Sequence, residues 1–375
     1  MKIGIVCYPT FGGSGVVATE LGKGLARLGH QVHFITYSLP TRLESFTENV
    51  YYHEVSISSY PLFQYPPYEL ALASKLVDVV TYERLDVIHV HYAIPHASAA
   101  YMAKQILATR GIHIPIVTTL HGTDITLVGQ DPSYEPVVTF SINVSDVVTA
   151  VSASLRDDTY AQFAVSREID VIHNFVDLSR FRRQQKDHFR LAICPNGERL
   201  LMHISNFRKV KRVEDILQLF ARLRPQMAAK LLLVGDGPER QRMEALCREL
   251  HICDDVRFLG KLEAVEEILS VADLFLMPSE KESFGLAALE AMACEVPVLS
   301  SDVGGLPELN IHGQTGYMAP VGDIDALTRY ALDILDERNL PRFKAAALAR
   351  ALEFDISVIL PRYEAAYEKA LALVV

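Results

Sequence analysis

Glu282 and Glu290 bracket the segment Ser283-Phe284-Gly285-Leu286-Ala287-Ala288-Leu289, and they carry the sharpest chemical signal in the chain. Gly285 lets a ligand approach the backbone at a helix start, where unpaired amides favour a diphosphate. Carboxylates beside a phosphate repel it unless they accept hydrogen bonds from hydroxyls. Glu282 in the preceding loop and Glu290 about one turn inside the helix therefore point to sugar or ribose oxygens. The competing reading, an ordinary capped surface helix, is weakened by the apolar run Leu286 to Leu289. The segment Asn206-Phe207-Arg208-Lys209-Val210-Lys211-Arg212 holds four cations. In an acidic chain that concentration suits phosphate neutralisation, with a solvent-facing loop as the alternative.

Gly12-Gly13-Ser14-Gly15 stands between a strand and a helix, a place for an anion. Gly13 to Ala18 also fits the dinucleotide pattern G-x-G-x-x-G/A. Against a nicotinamide enzyme, five residues separate Cys7 from Gly13, and the second strand ends at Thr36-Tyr37 without an acidic ribose ligand. A purely structural turn stays open. His121-Gly122-Thr123-Asp124 places a titratable pair at a strand's carboxyl end; a helix cap with a packed histidine stays open there too. Strand alternation puts His89 and His91 on one face near His96. With no acidic ligand beside them, they read as satisfied or cleft-facing histidines rather than zinc ligands. Asp323 and Asp325 read as helix-capping residues, not a metal clamp. No required metal or other cofactor is expected, and no Ser-His-Asp order or nucleophile elbow is present.

The elements that must position these groups alternate as strand and helix from end to end. Strands are expected at Ile3 to Cys7, Val32 to Thr36, Val87 to His91, Ile116 to Leu120, Val147 to Val151 and Asp170 to Ile172. A second series follows at Leu200 to Ile204, Lys230 to Val234, Val256 to Leu259, Leu274 to Met277 and Val296 to Ser300. The fold class is α/β, with two Rossmann-like doubly wound domains expected to face a central cleft. Domain boundaries are set at 1–176, joined by a C-terminal helix at about 358–375, and at 177–357. The basic stretch Asp177 to Asn196 reads as a solvated linker helix. Ile356, Ile359, Leu360, Tyr363, Ala366, Tyr367 and Ala370 recur at helical spacing, with Pro361 expected to bend that helix.

The chain has 375 residues, 50% hydrophobic and 22% charged, which excludes a disordered, collagen-like or small disulfide-stapled protein. Its formal charge of -10 speaks against nucleic-acid binding. Five scattered cysteines without a Cys-x-x-Cys pair suggest neither a disulfide framework nor a zinc site. No apolar run reaches membrane-spanning length, and the apolar stretch after Lys2 is too short for a signal peptide, so a cytoplasmic protein without stable membrane association is expected. Arg342, Lys344 and Arg350 in an Ala-rich helix are a weak hint of a basic membrane-facing surface. Oligomeric state is left open.

Glu282 and Glu290, the double αβ architecture, Gly235-Asp236-Gly237-Pro238 and the glycine-rich first loop together resemble family 4 retaining glycosyltransferases of the GT-B fold, over essentially the whole chain. More narrowly, four segments are similar to the branch of that family that glycosylates L-malate at the start of bacillithiol biosynthesis. They are Cys7-Tyr8-Pro9 with Gly12 to Gly15, His89-Val90-His91-Tyr92-Ala93-Ile94-Pro95-His96, Thr119-Leu120-His121-Gly122-Thr123-Asp124, and His203-Ile204-Ser205-Asn206-Phe207-Arg208-Lys209-Val210-Lys211. The resemblance implies transfer of N-acetylglucosamine from UDP-N-acetylglucosamine to the malate hydroxyl with retention at the anomeric carbon.

By position, the resemblance gives Glu290 the ribose and Glu282 the donor-sugar hydroxyls, with Ser283, Phe284, Gly285 and Leu286 near sugar and phosphate. Lys211 matches the diphosphate lysine. Many family members carry an arginine where Asn206 stands, so Arg208 is expected to supply the second cation. His121 and Asp124 match the donor-sugar side, and Gly13, Ser14 and Gly15 the junction of diphosphate and acceptor. Ser14, Gly15, Tyr92, Thr119 and His121 are the expected malate contacts. Lys211, Arg208, Glu282 and His121 are the expected catalytic groups. The rivals are a family 4 enzyme with another acceptor, such as an inositol phosphate or a lipid-linked sugar, and a non-catalytic nucleotide-sugar binding module.

Overall fold

β-Branched runs buried on both faces build two parallel sheets, one in each of two compact units of the computed structural model. It describes residues 1–10, 12–43, 47–57, 67–127, 129, 131–262 and 264–373. The N-terminal unit comprises Met1–Asn174 with Ile356–Val375, and the C-terminal unit Phe175–Asp355, so the chain divides within two residues of the sequence boundaries.

The N-terminal sheet contains β1 (Lys2–Val6), β2 (Gln31–Thr36), β3 (Val50–Glu54), β4 (Val87–His91), β5 (Ile116–Leu120), β6 (Val147–Ala150) and β7 (Ile169–Val171). They are ordered β3-β2-β1-β4-β5-β6-β7. The C-terminal sheet contains β8 (Arg199–Ile204), β9 (Ala229–Val234), β10 (Val256–Gly260), β11 (Leu274–Met277), β12 (Val298–Ser301) and β13 (Gly316–Ala319), ordered β10-β9-β8-β11-β12-β13. In both sheets the strand order reverses beside the unit's first strand, between β1 and β4 and between β8 and β11. Ligands of open α/β sheets bind at such reversals, beyond the carboxyl ends of the strands.

Two strands, β3 and β13, have no counterpart in the sequence reading, and each lies at an edge of its sheet. Edge strands lack the continuous apolar run of a central one; β3 reads Val-Tyr-Tyr-His-Glu and is half-buried to exposed. The C-terminal helix Ile356–Ala372 runs through Pro361, and its buried positions are the seven that the periodicity selects. It packs on the N-terminal unit, where Gly24 of the helix Gly13–Arg27 leaves room for Ile356 and Leu360.

The basic stretch after Asp177 is docked rather than solvated. Arg180 pairs with Glu266 at 3.2 Å, Lys186 with Glu267 at 3.0 Å and Arg190 with Asp273 at 2.8 Å, and its helix is confined to Asp187–Ile193. Carboxylates far away in sequence account for three of its cations. The basic helix Leu340–Leu352 is similar: Lys344 pairs with Asp273 at 3.1 Å, and Arg350 donates to the carbonyls of Glu308 and Leu309. Two of the three cations behind the membrane hint are thus engaged within the unit, while Arg342 stays exposed. Asp323 caps its helix, accepting from the Ala326 amide at 2.9 Å.

Candidate functional site

The candidate residues fall into two sets, one in each unit, and both follow the strands beside the chain reversal. In the N-terminal unit, Gly13, Ser14 and Gly15 open the helix after β1. A Cβ on Gly15 would lie 2.5 Å from the carbonyl oxygens of both Tyr8 and Thr10, so only glycine permits this close approach of loop to helix. Tyr92, just past β4 with φ 85°, donates from Oη to Ser14 Oγ at 2.7 Å, and its amide donates to the Thr119 carbonyl at 2.9 Å. Burial pushes the Tyr92 phenol up to about 12, so it keeps its proton. Because Ser14 accepts from Tyr92, its own hydroxyl hydrogen is left to donate elsewhere.

Beneath these groups runs a chain of buried imidazoles. His121 Nε2 lies 2.7 Å from His91 Nδ1, and His96 donates from Nδ1 to the His91 carbonyl at 2.5 Å. His89 bridges Tyr367 Oη at 2.9 Å and Thr119 Oγ1 at 2.7 Å. Burial, first among the causes, holds His89 and His121 down to about 3 and His96 to about 4, so the rings are neutral. Neutrality ties the tautomers together. If His91 donates to His121, then His121 presents an Nδ1–H donor; if His121 donates, its Nδ1 is an acceptor. His91 thus decides what His121 can offer a ligand.

Asp124 is buried and accepts from the amides of Ala93 at 2.9 Å and Gly122 at 3.1 Å. Burial raises its carboxyl to about 6, and these backbone hydrogen bonds oppose the rise. The capping reading therefore describes what Asp124 does within the unit: it fastens the turn after β5 to the turn after β4. Thr119 is fully buried, with its hydroxyl shared between His89 and Thr149. Its hydroxyl supports the layer below Tyr92 and His121.

In the C-terminal unit the cationic loop follows β8. Phe207 is fully buried, an anchor worth roughly 1.5–3 kcal/mol, while Asn206, Arg208 and Lys209 are exposed. His203 donates from Nδ1 to the Leu276 carbonyl of β11 at 2.7 Å, so its Nε2 accepts from Ser205 Oγ at 2.8 Å. Ser205 in turn accepts from the Phe207 amide at 3.3 Å. This relay pins the loop to both strands at the reversal. Lys211 Nζ meets Glu282 Oε2 at 2.5 Å, and the Glu280 amide donates to the Val210 carbonyl at 2.8 Å, so the loops after β8 and β11 are joined. Arg212 is paired with Asp215 and Lys211 with Glu282, while Arg208 and Lys209 are the exposed cations of the loop.

Gly285, with φ 98°, caps the helix Leu286–Ala293, and a side chain there would strain the backbone and collide with Leu306. Phe284 is buried edge-on against Phe354. Ser283 and Leu286 are half-buried around the cap, and Glu290 is buried one turn into the helix. The arrangement offers amides and a lysine for an anion and two carboxylates for hydroxyl groups.

Residues 11–180 match the family described as Glycosyltransferase Family 4, and residues 184–348 that described as Glycosyl transferases group 1. The chain is also 50% identical over 373 residues to the N-acetyl-alpha-D-glucosaminyl L-malate synthase of Bacillus anthracis, covering 98% of this chain and 96% of that protein. It belongs to glycosyltransferase family 4. A more distant relative, the D-inositol 3-phosphate glycosyltransferase of Thermobispora bispora, is 27% identical over 96% of this chain and 90% of its own.

The fold of this glycosyltransferase is GT-B, shared with sucrose-phosphate synthase of Thermosynechococcus elongatus (TM-score 0.82, 22% identity, all of both chains). It is shared also with Anabaena HepE, solved in complex with UDP and glucose (TM-score 0.81, 22% identity, 98% of this chain and 99% of that one). Among the described residues, no helix of the glycosyltransferase is long and apolar enough to cross a membrane. Sequence reasoning took His91 only as a satisfied or cleft-facing histidine and assigned no role to His203 or Ser205. Their significance lies in bonds across strands, and only the pairing of β4 with β5 and of β8 with β11 brings it out.

Proposed function

We propose that this chain transfers N-acetylglucosamine from UDP-N-acetylglucosamine to the hydroxyl of L-malate, with retention at the anomeric carbon, without a metal ion, and in the cytoplasm. The observation that carries the reading is the Lys211–Glu282 pair at the β8–β11 reversal, beside the Gly285 helix cap. The 50% identity, over 98% of this chain, to an N-acetyl-alpha-D-glucosaminyl L-malate synthase supports the acceptor.

In this reading Lys211, Arg208 and the amides at Leu286 stabilise negative charge growing on the departing diphosphate, the kind of contribution that dominates such sites. Glu282 accepts from sugar hydroxyls and Glu290 from the ribose. As the anomeric carbon–oxygen bond to UDP breaks, the malate oxygen bonds to that carbon from the same face, and its proton passes to the leaving β-phosphate oxygen. Ser14, Tyr92 and His121 hold the acceptor. Retention then needs no covalent nucleophile.

The test is UDP release with L-malate, D-malate, an inositol phosphate or no acceptor, with and without chelator, and nuclear magnetic resonance of the product anomer. Release that is selective for L-malate, indifferent to chelator and gives the α product supports the proposal. Release that ignores malate, or a β product, overturns it.

A further inference from the structure

At the edge of the N-terminal sheet, three side chains that the proposed reaction does not use converge. β2 and β3 pair with His33 opposite Tyr51 and Ile35 opposite His53, so His33 and His53 project from the same face, two positions apart. Glu83 is the last residue of the helix Tyr68–Glu83. One ligand atom from each of the three lies within 4.8 Å of the others. We propose that His33, His53 and Glu83 form a binding site for a divalent ion of the zinc class.

Two observations carry it beyond proximity. His33 Nδ1 and His53 Nε2 are 3.0 Å apart. Two nitrogens bound about 2.0–2.1 Å from one ion are separated by roughly 2.9–3.4 Å at right-angled to tetrahedral geometry, so this spacing suits shared ligation. The Glu83 carboxylate faces both rings, yet among the described residues neither a hydrogen bond nor an ion pair occupies it. An ion at the centre bridges that gap, whereas the histidine hydrogen bond by itself leaves the carboxylate idle.

The rings are prepared for such a role. His33 is 1% exposed, its face stacks on Tyr51 at 4.7 Å, and its Nε2 has no partner among the described residues. The nearby cation Lys2 is held on the Glu83 carbonyl at 2.9 Å and so does not consume the carboxylate. Imidazole donors select zinc-like ions over magnesium or calcium. The ion would fasten the edge strand β3 and the helix end to β2; since none of the three residues belongs to the reaction, it is structural.

The test uses the full untagged chain, stripped with chelator and titrated with zinc against a chromophoric competitor, with cobalt(II) absorption as a probe of ligand geometry. The expected result is one ion per chain, weakened at least about tenfold by Glu83→Gln and lost in His53→Gln. Zinc should raise the thermal midpoint of the unaltered chain but not that of His53→Gln. Because His33 is fully buried and its removal threatens folding, the half-buried His53 and Glu83 carry the test. Absence of stoichiometric binding, or binding that survives both substitutions, overturns the proposal and leaves a hydrogen-bonded histidine pair. Neither outcome depends on which sugar or acceptor the protein uses.

Discussion

In the N-terminal unit the groups beyond β1, β4 and β5 are held by neutral hydrogen bonds among buried rings and hydroxyls, whereas those beyond β8 and β11 are joined by a half-buried ion pair of full charges. The two halves suit different parts of a transfer reaction. Neutral buried donors orient an acceptor without a large desolvation cost but cannot neutralise a diphosphate; the half-buried Lys211 can. The glutamate beside Lys211 balances its charge in the chain alone.

Three measurements break or sharpen this contrast. The largest effect is expected from acid. His89, His96 and His121 titrate lower in the folded unit than the ordinary value of 6.5. Their stabilisation is therefore complete above about 6.5 and is lost as pH falls towards 3 to 4, by about 1.4 kcal/mol per histidine for each pH unit. The C-terminal unit sets His203, held to about 4, against them. Asp124 runs the other way: its raised folded value favours the folded state at low pH and loses that advantage as pH rises through about 6. Acidification below pH 6 should melt the N-terminal unit first, read by hydrogen exchange of β4 and β5 against β8 and β11. Simultaneous loss in both units would refute the neutral-network account.

Next in size, Lys211→Ala should slow turnover by about a hundredfold or more, the scale of a lost oxyanion donor. Near-normal turnover would move the charge stabilisation to Arg208 or Lys209. The smallest effect belongs to Tyr92→Phe, which removes one hydrogen bond to Ser14 and should cost about 1 kcal/mol, roughly a fivefold rise in KM for the acceptor with the KM for the nucleotide sugar unchanged. Equal effects on both substrates would mean that Tyr92 does not distinguish the two sides of the site.

Local chemistry was legible from residue order because it depends on near neighbours. The bounds of β4, β5 and β11, the seven inward positions of the C-terminal helix and the Asp323 cap follow from alternation, helical period and capping type. The αβ alternation likewise followed from local pattern. What residue order left undecided were pairings across sequence distance. Lys211 and Glu282 are 71 positions apart, His91 and His121 are 30 apart, and His33 meets His53 through an edge strand with no apolar run of its own. Distant carboxylates turned a basic linker into a docked segment. Periodicity is set by the backbone's own repeat and is written locally. Strand order, which brings distant residues side by side, is decided only when helices and sheet bury one another.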